Sequence, residues 1–191
     1  MFDLMFILAL AIVVFIHEFG HYFIAKLMGV KVLEVQVFFF PILTYTPEKD
    51  DDTPFDSWRH TKWVLGIIPL GGVTHFLNNP TSSRSIINKA PWQRLLISLA
   101  GVSFNLLTAI IVFILVWTLG NIPHFVIEIG YVSFLLAIFN IIPIYPLDGG
   151  QALFEIYEMV TGKAPSNEFR RIAGIVGSIF IIIVFWILPL F

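Results

Sequence analysis

Two histidines and a glutamate stand together in His17-Glu18-Phe19-Gly20-His21, an H-E-x-x-H arrangement. On a helix, positions four apart share a face with their Cβ atoms about 5–6 Å apart, so both imidazoles can ligate one zinc ion. Glu18 then lies alongside, in reach of a water at the metal, as its general base. The flanking stretch, Leu4–Lys26, is otherwise almost wholly apolar. Ionisable groups inside such a stretch are costly and face the protein interior with partners. A polar cluster that only joins helices is the competing reading, since polar side chains in membrane helices also bond neighbouring helices.

Catalytic zinc sites take three protein ligands plus a water. The chain has no cysteine, so the third ligand must be His, Asp or Glu. Asp148 is the strongest candidate, because it follows an apolar segment directly, within the broken run Asn140-Ile141-Ile142-Pro143-Ile144-Tyr145-Pro146-Leu147-Asp148-Gly149-Gly150. Two prolines and two glycines argue against a regular helix there, and irregular backbone at membrane depth is tolerated only against protein or a watery cavity. A carboxylate in such a place can meet the histidine pair. The competing reading makes Asp148 an ordinary cap that opens a short helix. His60 and His75 in a polar loop, and His124 in a short turn, read as surface residues, and Glu128 as an interfacial one.

The elements that must position these groups are membrane helices. Of 191 residues, 58% are hydrophobic and 13% charged, and the mean hydropathy is +0.88, the composition of a polytopic membrane protein. Four segments are apolar enough to cross a hydrocarbon core about 30 Å thick: 4–26, 95–119, 126–142 and 172–188. The first lacks a basic leader region and carries the H-E-x-x-H residues, so it is expected to stay as a helix rather than be cleaved as a signal peptide. The 11 Lys and Arg fall only in the loops after the first and third segments, which puts those loops, with Lys49 and Lys163, in the cytoplasm and both termini outside. Trp92, Trp117 and Trp186 read as interface anchors. The net charge is −2 and no basic stripe exists, so nucleic acid is not expected as a partner.

The fold class expected is a membrane all-α polytopic bundle of about four transmembrane helices, one domain over 1–191, with a small β-hairpin or sheet in the first cytoplasmic loop. That β-rich loop covers about 30–76. Val30–Phe39 and Lys62–Phe76 are rich in β-branched and aromatic residues, and Pro69-Leu70-Gly71-Gly72 is a turn signal within the second. Glu48–Asp52 reads as a solvated acidic loop, Pro91 as the first turn of the second helix, and Gly162–Glu168 as a linker.

These residues resemble the site-2 proteases, intramembrane zinc metalloproteases of the peptidase M50 group, over nearly the whole chain. His17–His21 with Ala25-Lys26 and Gly29-Val30-Lys31-Val32 resembles the family's first catalytic helix and the strand after it. Ile68-Pro69-Leu70-Gly71-Gly72-Val73 resembles the hairpin of the bacterial branch, and Ala100-Gly101-Val102-Ser103-Phe104-Asn105 its next core helix. Asn140–Gly150 is similar to the N-x-x-P…L-D-G-G segment, whose Asp is a zinc ligand. Val102 stands where Pro is usual, and Gln151 where His is common. Gly120–His124 spans in five residues the gap that holds a PDZ domain in many members.

The resemblance implies zinc as cofactor, a bacterial plasma-membrane location, and transmembrane segments of membrane proteins as substrates. It also implies that Asn140 and Asn105 contact substrate or order the site. The reaction expected is hydrolysis of peptide bonds in or near the bilayer, with Glu18 catalytic and His17, His21 and Asp148 holding zinc. A substrate helix must first be unwound, and an exposed strand could hold it by β-augmentation. The segment around Gly71 and Gly72 is the candidate, with Lys62–Ile68 as the edge strand. A catalytically silent scaffold or chaperone that binds membrane segments, and an ion or proton transporter, are the rival readings.

Overall fold

The computed structural model describes residues 4–47 and 60–187. Five helices and two long strands follow one another as α1 (Leu4–Leu27), β1 (Val32–Tyr45), β2 (Lys62–Phe76), α2 (Pro91–Leu119), α3 (His124–Asn140), α4 (Asp148–Thr161) and α5 (Asn167–Ile187). Helix boundaries follow local chemistry. Pro91 opens α2, where its missing N–H is no loss, and Gln93 Oε1 accepts the Ala90 N–H, 3.0 Å. Gly162 closes α4 in the left-handed region (φ 69°).

The two strands interlock. The first half of β1 pairs with Gly72–Phe76 from Val32↔Phe76 to Val37↔Gly72, with partner numbers running in opposite senses. On its other side it pairs with the first half of β2, from Glu34↔Lys62 to Val37↔Leu65, with numbers rising together. The first half of β2 then pairs on its far side with the second half of β1, from Phe39↔Ile68 to Tyr45↔Trp63. Each strand thus folds back with a run of the other inserted between its halves. The bends fall at Phe38 (φ 66°) and Phe40 (φ 59°) in β1 and at Gly71 (φ 108°) in β2. Phe holds a left-handed conformation only at a cost, so the interlocked pairing dictates the first bend.

This arrangement corrects two expectations. Pro69–Gly72 does not close a hairpin within β2, because the two halves of β2 lie on opposite sides of β1. The stretch Lys62–Leu65 is not an edge, because β1 residues flank it on both sides. Among the described residues the free edges are Gly72–Phe76 and Pro41–Tyr45.

The sheet lies against α1. Near the end of that helix, Tyr22, Ala25, Val30, Val32, Val35 and Ile97 form one buried cluster, and Val14, Val37 and Phe38 form a second about two turns earlier. The tip of the sheet therefore reaches well up α1.

Two helices, α1 and α2, are long and apolar enough to cross a bilayer. The third expected span is the 17-residue helix α3, and the fourth is α5, which starts at Asn167 and carries Arg170 and Arg171 near its start. Leu107, Ile111, Ile114 and Ile183 are exposed, and Trp117 is 86% exposed, a surface suited to lipid. The helix α4 was not expected at this length. Gly149 and Gly150 sit inside its first turn, and the irregular backbone is confined to 141–147. Glu48–Asp52, Lys49 and the Trp186 side chain lie outside the described residues.

Candidate metal centre

The closeness of α1 and α2 sets the site. A Cβ on Gly20 would lie 2.7 Å from the Ala100 carbonyl oxygen, so only glycine permits this approach. Across the contact, His21 Nδ1–H donates to the Ile97 carbonyl, 2.7 Å. That bond leaves the His21 Nε2 lone pair free to ligate. His17 Nδ1 lies 3.2 Å from the Asn105 side-chain amide. With the amide oxygen turned to this contact, His17 Nδ1–H donates to Asn105 Oδ1, an atom otherwise buried without a partner. Both imidazoles then present Nε2 as acceptors.

Asp148, the first residue of α4, completes a triangle. Its Oδ2 lies 3.1 Å from His17 Nε2 and 3.3 Å from His21 Nε2, and the two nitrogens are 3.2 Å apart. Tetrahedral zinc with bonds of about 2.0–2.1 Å separates neighbouring ligand atoms by about 3.3–3.4 Å, so the triangle has the size of a zinc face. Three acceptors converging at this distance repel one another unless a cation joins them. His17 (6% exposed) and His21 (7%) are too buried for water to do so freely. Opposite them stands Gly101, where a Cβ would lie 2.6 Å from both His17 Cε1 and Nε2. The space that a metal needs is open only because residue 101 has no side chain.

Glu18, next to His17 on α1, is 4% exposed. Thr74 Oγ1–H donates to its Oε2, 2.7 Å, from the free edge of the sheet. A Cβ on Gly72 would lie 2.7 Å from Glu18 Cγ, so this edge strand closes directly over the carboxylate.

The sequence profile of peptidase family M50 matches residues 5–122 and 117–184. The chain belongs to peptidase family M50. A relative from Thermotoga maritima, named provisionally as a zinc metalloprotease, is 33% identical over 117 residues, covering 57% of this chain and 21% of its own length. Protease RseP of Yersinia pestis is 32% identical over 122 residues, covering 60% of this chain and 26% of its own. The chain thus spans only about a quarter of these two relatives' lengths. The site-2 protease from Methanocaldococcus jannaschii superposes with a TM-score of 0.57 at 21% identity, over 96% of this chain and 67% of that one, a likeness of fold.

Within this M50 chain the residues foreseen from sequence separate cleanly. His17, His21 and Asp148 come together, and among the described residues they alone form a metal-ligand cluster. Asn105 is fully buried and touches His17. Asn140 donates its amide to the Leu136 carbonyl of its own helix, 3.0 Å. Gly72 abuts Glu18, whereas Gly71 supplies the bend and has nothing near its Cβ position. His60, His75 and His124 stay outside the cluster.

Sequence reasoning did not single out Thr74 or Gly101 as parts of the site. For Gly101 the signal was present, since 97, 101 and 105 fall on one helical stripe. Thr74 had none. A cavity of about 560 Å³ lies away from the triangle, between α1 at Ala11, Ile12 and Phe15 and the sheet at Leu43, Trp63 and Leu65.

Proposed function

We propose that this chain is an intramembrane zinc metalloprotease that hydrolyses peptide bonds in or near transmembrane segments of membrane proteins. The observation that carries this reading is the triangle of His17 Nε2, His21 Nε2 and Asp148 Oδ2, 3.1–3.3 Å on a side, held open by Gly101 beside the buried Glu18. Zinc bound there would supply Lewis acidity, lowering the pKa of a water and polarising a carbonyl. Glu18 takes the proton of the attacking water and returns it to the leaving amine. Thr74 holds the carboxylate in one orientation for both transfers. Ile97 and Asn105 fix the ring tautomers, which keeps both Nε2 atoms as ligands.

The substrate reading rests on depth. With Lys26 near the cytoplasmic surface, a rise of about 1.5 Å per residue puts His21 and His17 roughly 8–14 Å inside the bilayer. A helix at that depth hides its peptide bonds and must be drawn out into extended form. The free edge Gly72–Phe76 lies beside Glu18, and its backbone can accept one more strand. This replaces Lys62–Ile68 as the clamp. The loop basicity supports a cytoplasmic mouth and both termini outside.

The test is a set of three variants assayed on purified protein in detergent or liposomes. Glu18→Gln should keep zinc and lose cleavage of a membrane-embedded substrate. Asp148→Asn and His21→Ala should lose cleavage and weaken zinc binding as well, because each removes a ligand. Full zinc and activity in Asp148→Asn would remove that residue from the site.

A further inference from the structure

An ion-pair cluster lies two helical turns from the metal triangle, in no contact with it. Arg94 Nε lies 2.9 Å from Glu155 Oε2, and Arg94 Nη2 lies 2.6 Å from Glu158 Oε2. Gln151 Nε2–H donates to Glu155 Oε1, 2.5 Å, and Arg170 Nη2 approaches the same oxygen at 3.8 Å. The Glu155 side chain is 1% exposed. Burial pushes the Glu155 carboxyl up, and the charges of Arg94 and Arg170 and the Gln151 bond oppose that shift. A buried carboxylate is strongly destabilising without its partner, so these contacts fix where α4 can sit.

The spacing gives the cluster a function. On α2, Arg94, Ile97, Gly101 and Asn105 occupy one stripe, and on α4 so do Asp148, Gln151, Ala152 and Glu155. Arg94 and Gly101 are seven residues apart, and so are Asp148 and Glu155. Seven residues are about 10 Å of helix, so the facing stripes meet at two points of equal separation. At one end Asp148 meets the histidines over Gly101, and at the other Glu155 meets Arg94. A slip of one residue, about 1.5 Å, would take Asp148 off its 3.1–3.3 Å contacts.

We infer that Arg94, through Glu155 and Glu158, is a positioning residue that locks the register of α4 on α2 and thereby delivers Asp148 to the metal. The inference rests on the zinc-protease reading above. It also gives Gln151 a place: the side chain at this position braces the Glu155 end of the lock rather than the metal. Arg170, seated over the Phe154 ring at 5.0 Å, ties the start of α5 to the same end. Arg suits the position because its planar fork serves two carboxylates at once, which Lys cannot reproduce.

The test measures zinc affinity by chelator competition on the full chain, in a double-mutant cycle of Arg94→Met with Asp148→Asn. Arg94→Met is expected to weaken zinc binding 10- to 100-fold in wild type and by less than threefold in Asp148→Asn, because the residue acts through Asp148. Cobalt in place of zinc should lose its four-coordinate visible bands in Arg94→Met and keep them in part in Arg94→Lys. If Arg94→Met does not fold, Glu158→Gln breaks one of the two contacts while sparing the buried carboxylate, and the same cycle applies with a smaller effect. An equal loss in both backgrounds, or unchanged affinity in the folded variant, would overturn the register lock. If Asp148→Asn alone binds zinc as wild type does, the ligand role of Asp148 itself fails, a result separate from either.

Discussion

A methyl group on Gly101 would sit 2.6 Å from His17 Nε2. Gly101→Ala is therefore expected to strip the metal without harming the helix. In a helix interior Ala is favoured over Gly by about 1 kcal/mol, so the metal-free variant should be as stable as metal-free wild type or more so. The imidazoles can rotate away from the new carbon, and they then no longer converge. Zinc content by mass spectrometry should fall to background. Wild-type occupancy would mean that the ligands meet elsewhere.

Asn105 answers for the tautomer of His17. Asn105→Leu removes the acceptor of Nδ1–H and should weaken zinc binding about 10- to 100-fold, the usual cost of losing an outer-shell partner. Asn105→Asp keeps an oxygen at the same place and should stay within a few-fold of wild type. Chelator competition measures both. Equal affinity in Asn105→Leu would reduce the amide to packing.

Thr74 separates base from metal. A hydrogen bond to a charged group contributes about 1.5–3 kcal/mol, so Thr74→Val should lower kcat on the order of 10- to 100-fold. Zinc content should not change, because the Thr74 hydroxyl bonds to Glu18 and not to the three candidate ligands. Thr74→Ser restores the hydroxyl and should restore most of the rate. A serine variant as slow as the valine one would point to the γ-methyl instead.

The three residues of the candidate metal site were legible because their constraint is local or nearly so. Four residues separate His17 from His21, and the prolines before Asp148 announce a broken segment at membrane depth. Glu18 came with the same motif. The sheet was legible as β-rich sequence but not as topology, since nothing local in Lys62–Leu65 reveals that two different halves of β1 flank it. Thr74 was invisible for the same reason: its partner is 56 residues away, across a fold that had to be known first. The length of α4 was hidden by Gly149 and Gly150, which usually interrupt helices. Here each packs so tightly against the 141–145 backbone that a side chain would not fit.

The interlocked sheet turns the strand-addition idea into a sharper comparison. In a strand paired on both sides, every N–H has a neighbour, and proline at any position removes a ladder bond. Val64→Pro and Leu65→Pro should therefore both destabilise the protein, although their N–H groups point opposite ways. On the free edge only alternate positions donate to β1. Val73 and His75 share one parity and Thr74 has the other, so one set should disrupt the sheet while the other folds and binds zinc. The folded set has lost donors that face outward, and it should cleave a membrane-embedded substrate poorly while a short unstructured peptide suffers less. If Thr74 proves to be the folded parity, its rate is judged against Thr74→Val, which lacks the same hydroxyl. Thermal melts, zinc content and cleavage of the two substrates read the pattern. Wild-type cleavage of the membrane substrate by every folded edge variant would end strand addition at Gly72–Phe76 and leave the metal chemistry untouched.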